Sequence, residues 1–208
     1  MLPEFKLFLL FWVSSTLIII SPGPDFIYVT TRGIAQGKKA GLLSALGISF
    51  GLIVHTLLAA FGLSALLSTS GLAFSIVKYL GAGYLFYLGI SAIFKRNYIQ
   101  FKTASSTQNH NSIFRQAVFT NVFNPKAIIT FMAFIPQFIN PKGHTCFQII
   151  LLGSILAFLA AVWFGFVGYC AGTFGFWLST KHQVQKFIKW ISSLVLVSLG
   201  VRLLYSKR

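Results

Sequence analysis

The chain has 208 residues, of which 56% are hydrophobic and only 9% charged, with a formal net charge of +15. Soluble domains carry about a quarter charged residues, so this balance excludes an aqueous globular fold. The Lys and Arg residues sit in short segments between long apolar runs, where membrane proteins use them to set orientation; membrane lipid is the expected partner, and nucleic acid is not.

Runs of about 18 or more apolar residues cross a hydrocarbon layer of roughly 30 Å, and six segments of this chain qualify. The first runs from about Phe5 to Thr31. Its opening resembles a signal peptide, with Lys6 ahead of Leu7 to Ile20, but Ser21-Pro22-Gly23-Pro24 follows rather than a small-residue cleavage site. An uncleaved first span is therefore expected, broken where Pro22 and Pro24 remove two backbone donors. The second span covers about Gly41 to Leu67, with His55 near its middle and Gly47 and Gly51 at a spacing that lets helices approach closely. The third covers about Leu72 to Phe94. A polar stretch from Lys95 to Arg115 follows, rich in Ser, Thr, Asn, Gln and basic residues, and is expected to be a solvated loop. The fourth span, about Ala117 to Ile139, carries Asn121 and a second interruption at Asn124-Pro125-Lys126. The fifth covers about Cys146 to Phe176, where Gly168 and Gly172 repeat the small-residue spacing. Cys146 and Cys170 both fall on it, roughly 36 Å apart at 1.5 Å per residue, far beyond the reach of a disulfide. The sixth covers about Val184 to Tyr205.

This pattern predicts an all-α membrane protein of six transmembrane helices. We read it as one transporter domain over 1–208, with half-repeats at about 1–95 and 115–208 joined by the polar loop 95–115. Lys78-Tyr79-Leu80 and Leu88-Gly89-Ile90 parallel Lys189-Trp190-Ile191 and Leu199-Gly200-Val201 at a constant offset. Repeats of three spans insert with opposite orientation, a plan in which secondary transporters place the substrate at the repeat interface. For topology, one side gathers Arg32, Lys38, Lys39, Lys95, Arg96, Lys102, Arg115, Lys181, Lys186 and Lys189. The other has Lys6, Lys78, Lys142, Arg202, Lys207 and Arg208. Ten against six places both termini outside the cytoplasm.

A broken helix survives in a bilayer only against protein or a water-filled cavity, and paired breaks are the best sequence pointer to a transport site. Pro22, Gly23, Pro24 and Pro125 are the expected break residues. The chain has two acidic residues, Glu4 near the N-terminus and Asp25 at the first break. Asp25 is thus the one carboxylate expected at membrane depth, where ionisable groups are costly and usually functional. It is suited to a substrate ammonium or to a proton, although a carboxylate there would also stabilise a helix N-terminus. Lys126 holds the analogous place after Pro125, so the two are expected to face each other as an ion pair that a substrate with both charges would separate. Snorkelling of Lys126 to the interface is the competing reading. His55 titrates in the right range for proton exchange, or simply bonds two helices together. Ser21, Asn121, Asn124, Thr30 and Ser49 complete the polar groups that could line a path. There is no Ser-His-Asp set, Walker loop, HExxH motif or Cys/His cluster, so we expect a transporter rather than an enzyme, with no cofactor and no metal site.

These residues resemble the LysE/RhtB amino-acid exporter family. The likeness is carried by Ser21-Pro22-Gly23-Pro24-Asp25, Arg32-Gly33, Gly37-Lys38-Lys39-Ala40-Gly41 and Ala45-Leu46-Gly47 with Gly51 and His55. It continues in Lys78-Tyr79-Leu80-Gly81-Ala82-Gly83-Tyr84-Leu85, Asn124-Pro125-Lys126-Ala127 and Phe134-Ile135-Pro136-Gln137-Phe138. The resemblance implies a multi-pass permease of the bacterial inner (plasma) membrane that exports amino acids or their derivatives, driven by the proton gradient. Two other readings stand beside it: a cation or heavy-metal exporter of a related family, and a non-transporting membrane subunit. One membrane carboxylate is few ligands for a dication, and a neutral amino acid is the favoured substrate. Homo-oligomerisation is left open by the sequence.

Overall fold

The computed structural model describes residues 5–63, 79, 83, 87, 90, 109–140 and 143–180. The third span, the sixth span and most of the polar stretch lie outside the described residues. So do the repeat motifs at 78–80, 88–90, 189–191 and 199–201, except that Tyr79 and Ile90 are helical.

The described residues form α1 (Phe5–Ile20), α2 (Pro24–Gln36), α3 (Lys38–Leu58), α4 (His110–Val122), α5 (Pro125–Ile129) and α6 (Thr145–Thr180). A wide π-helical turn, Ala59–Leu63, extends α3, and α5 continues through a second, Thr130–Phe134, into a tight 3-10 turn at Ile135–Phe138. There is no strand among these residues, and the chain is an all-α membrane protein. Lys38–Gly62 and Thr145–Thr173 are each long and apolar enough to cross a bilayer unbroken. The other two spans are bent: Leu7–Ile20 meets Pro24–Gln36 at 54°, and His110–Val122 meets Pro125–Phe138 at 50°. Both described halves thus read as a bent span followed by a straight one.

Local chemistry explains the bends. Pro24 and Pro125 each open the second segment of their span at the first helical position, where the missing N–H would have no helical partner anyway. Asn124 caps α5, its side-chain oxygen accepting from the Lys126 N–H at 2.9 Å. The turn between α2 and α3 is a single residue. Gly37 takes φ +85°, a conformation that L side chains rarely adopt, and donates its N–H to the Gly33 carbonyl at 2.9 Å. Lys38 and Lys39, expected in a loop, therefore form the first turn of α3.

Two boundaries differ from the sequence reading. The first bent span runs on past Thr31 to Gln36, where Gly37 caps it; on this added turn the Arg32 guanidinium lies 5.3 Å from the Tyr28 ring and bonds the Gln116 side chain at 2.5 Å. The fourth begins at His110, so the last residues of the expected loop are helix. Asn109 supplies the cap: its side chain accepts from the Asn111 N–H and its carbonyl from the Ser112 hydroxyl.

Lipid offers no hydrophobic drive for helix association, so close backbone approach has to supply the packing. Gly41 of α3 and Gly168 of α6 lie backbone against backbone, with Gly33 and Gly172 extending the seam. Gly47 and Gly51 make the opposite face of α3 a seat for α4: a methyl at Gly47 would meet Ala117 Cβ at 2.5 Å, and one at Gly51 would meet Asn121 Oδ1 at 2.6 Å. Phe11 of α1 is fully buried between Phe134 and Phe138, ring centroids 5.7 and 5.2 Å away, which ties the first bent span to the second. Gln148 locks the approach to α6 by donating to the Asn140 carbonyl and accepting from its N–H. Phe147, Phe158, Val162 and Phe166 form an exposed apolar stripe on α6, as a lipid-facing surface requires.

Candidate functional site

The two helix breaks meet. One cavity of about 30 Å³ is lined by Ser21, Gly23 and Asp25 from the first and by Asn124 and Lys126 from the second. Thr130 adds a polar group, and Ile18, Phe26, Leu52, Leu156 and Phe164 supply the apolar wall. A space of roughly 10–15 Å³ admits a water, whereas small-molecule pockets begin near 300 Å³. In this conformation the charges border a space large enough for water and too small for an amino acid.

Asp25 occupies the first turn of α2, where the helix dipole favours a carboxylate. Its Oδ2 accepts from Asn121 Nδ2 at 2.9 Å, while Oδ1 is buried without a hydrogen-bond partner among the described residues. Lys126 stands in the matching turn of α5. Its ammonium is not bonded to Asp25. Nζ donates to the Ser21 carbonyl and to the Ser21 hydroxyl, each at 2.6 Å. The expected direct ion pair is thus replaced by a divided arrangement, with both charges on one cavity and the lysine satisfied by neutral oxygens. The Ser21 carbonyl takes this partner in the non-helical turn between α1 and α2, where the helical hydrogen-bond ladder is interrupted. Gly23 provides clearance rather than an unusual backbone: its chain is extended, and a side-chain carbon there would lie 3.3 Å from Lys126 Cδ.

Asn121, fully buried, joins three helices. From α4 its amide reaches Asp25 on α2, and its backbone carbonyl accepts from His55 Nε2 of α3 at 3.3 Å. The His55 ring stacks on Phe131, centroids 5.4 Å apart, and lies behind Asn121 rather than on the cavity. Asn124 Nδ2 is buried without a partner among the described residues. Of the further polar candidates, Ser49 bonds the Ala45 carbonyl of its own helix, and Thr30 is buried away from the cavity. Sequence reasoning missed the Ser21–Lys126 contact and the fit of Gly51 against Asn121. The adjacency of Ser21 to the first break was the available signal for the former. Among the described residues no group of three or more His, Cys, Asp or Glu side chains is placed to hold a metal ion.

Residues 16–207 match the family described as LysE type translocator. The chain belongs to that family. It is therefore a transporter, a multi-pass membrane protein, and not an enzyme. Among similar proteins, the uncharacterized membrane protein YrhP of Bacillus subtilis (strain 168) is 33% identical over 197 residues, covering 90% of this chain and 93% of its own. The homoserine/homoserine lactone efflux protein of Salmonella typhimurium is 32% identical over 193 residues, and that of Salmonella typhi 31%. Each alignment covers 93% of this chain and 94% of the relative. No solved structure matches the chain.

Proposed function

We propose that this LysE-type translocator is a secondary-active exporter of neutral amino acids or close derivatives across the bacterial plasma membrane, with homoserine-like compounds as the first substrates to test. One observation carries the reading. A carboxylate and an ammonium stand at the same register of two bent spans and line the same cavity without bonding each other. A substrate with a free ammonium and a free carboxylate offers each charge its complement; beside them Asp25 Oδ1 and Asn124 Nδ2 make no short hydrogen bond among the described residues, although the Asn124 side chain faces the Asp25 carboxylate. The efflux relatives are named for homoserine, which has both groups, and for homoserine lactone, which keeps the ammonium and has no free carboxylate. Because about 30 Å³ is too small for an amino acid, substrate entry requires the bent spans to part. Export is driven by the proton gradient, with Asp25 as the proton acceptor when no substrate is bound. The chain acts as one domain of two inverted halves with both termini outside the cytoplasm.

Counterflow in proteoliposomes, run across a panel of amino acids, tests this directly. Asp25→Asn keeps the shape and removes the charge. We expect exchange to fall at least about tenfold, the equivalent of 1.4 kcal/mol, with unchanged expression and insertion. Wild-type rates in that variant would take Asp25 out of the mechanism.

A further inference from the structure

Lys126 carries three donors and no acceptor. Two of the three are engaged by one residue, through the carbonyl and the hydroxyl of Ser21 at equal distances of 2.6 Å. Two oxygens of a single group converging on one ammonium is what a carboxylate would present. Ser21 is itself buried, 1% exposed, and both residues border the cavity that Asp25 shares.

We infer that Ser21 is a built-in stand-in for the substrate carboxylate: it occupies Lys126 when the site is empty, and a ligand carboxylate must displace it to bind. This rests on the export reading above and adds which end of the ligand is selected, and by which residue. The exchange is favourable in direction because hydrogen bonds to an ionised acceptor are roughly twice as strong as those to neutral oxygens. A ligand that is neutral at that end, an ester or an amide, lacks this advantage and leaves Ser21 in place. The occupied lysine also spares the empty transporter a buried cation without donors satisfied, which would be costly in a dry site. Ser21 is thus a specificity-determining residue: it sets the threshold that a competing acceptor must exceed. The Ser21 carbonyl belongs to the backbone and survives mutation, so the hydroxyl is the adjustable part.

The test uses full-length protein in proteoliposomes, with counterflow of labelled L-homoserine and competition by unlabelled L-homoserine or L-homoserine amide. In the wild type the acid should compete better than the amide. Ser21→Ala removes one of the two stand-in oxygens. The concentration of acid needed for half-inhibition should then fall roughly three- to tenfold, the worth of one hydrogen bond, while that of the amide stays unchanged. Ser21→Thr retains the hydroxyl and should keep the wild-type ratio. If Ser21→Ala weakens acid binding, leaves it unchanged, or shifts acid and amide alike, the stand-in role is wrong. Should exchange itself remain dependent on Asp25 in that case, the export reading survives without it. An absence of counterflow in the wild type for every amino acid of the panel overturns both.

Discussion

Gly51→Ala is the sharpest structural perturbation available near the site. A methyl at position 51 would stand 2.6 Å from Asn121 Oδ1, 2.7 Å from Asn121 Cβ and 3.0 Å from Cγ. Contacts under 3.0 Å are not tolerated, and one of these atoms is the stiff Cβ, so rotating the amide alone does not relieve the clash. Either α4 moves off α3 or Asn121 leaves its place. Overpacking of this kind costs about 1–3 kcal/mol. Losing the 2.9 Å bond to Asp25 adds about 0.6–1.7 kcal/mol, the range measured for side-chain bonds between membrane helices. We therefore expect a net loss of about 2–4 kcal/mol in stability and at least about a tenfold drop in transport, since Asp25 loses its anchor. Gly165→Ala is the matched control. It makes the same chemical change in a spanning helix, yet nothing among the described residues lies within 4 Å of the added carbon. There the replacement should be neutral or stabilising by up to about 1 kcal/mol through helix propensity. Thermal unfolding in detergent and counterflow in proteoliposomes read the two effects. If the two variants behave alike in both assays, the seating of Asn121 against α3 is not what holds the carboxylate.

Gly37→Ala should cost about 1–3 kcal/mol, because φ +85° with ψ 178° is a backbone conformation that essentially only glycine adopts, and thermal unfolding would register it even though nothing among the described residues crowds that position. His55→Phe keeps an aromatic ring against Phe131 and loses only the bond to the Asn121 carbonyl. Transport within about threefold of wild type and a stability loss near 1 kcal/mol are the expected results in counterflow and thermal unfolding. A collapse of transport and of its pH dependence would instead make His55 a proton carrier.

Much of the architecture is legible because bilayer insertion writes itself into the sequence. Long apolar runs gave the spans, and prolines flanked by charge gave both breaks, at Pro22–Pro24 and at Pro125, within a residue or two of where the helices bend. The misreadings have a common cause. Hydropathy marks where hydrocarbon begins, not where a helix begins, so the polar first turns of α4 were read as loop and the α2 residues beyond Thr31 were left out. The caps that decide those ends, Asn109 and Gly37, are local stereochemistry and visible only once looked for. Within the site, sequence could name Asp25 and Lys126 from their charge and place. It could not tell that Lys126 would choose Ser21, because that choice depends on which oxygens a 54° bend leaves facing across the gap. Gly51 reads as a packing residue, which it is, but its partner is an asparagine that holds the carboxylate, so packing and chemistry meet at one side chain.

The wall behind the charges adds a consequence. In the exporter we propose, Asp25 and Lys126 hold the substrate from separate sides, and Leu52, Leu156 and Phe164 line the cavity with hydrocarbon. Two unlike handles and a greasy backstop are three points of attachment, and a receptor with three distinct points has a hand. Of two mirror-image amino acids, one enantiomer can place ammonium, carboxylate and side chain at all three together. Its reflection has to surrender one.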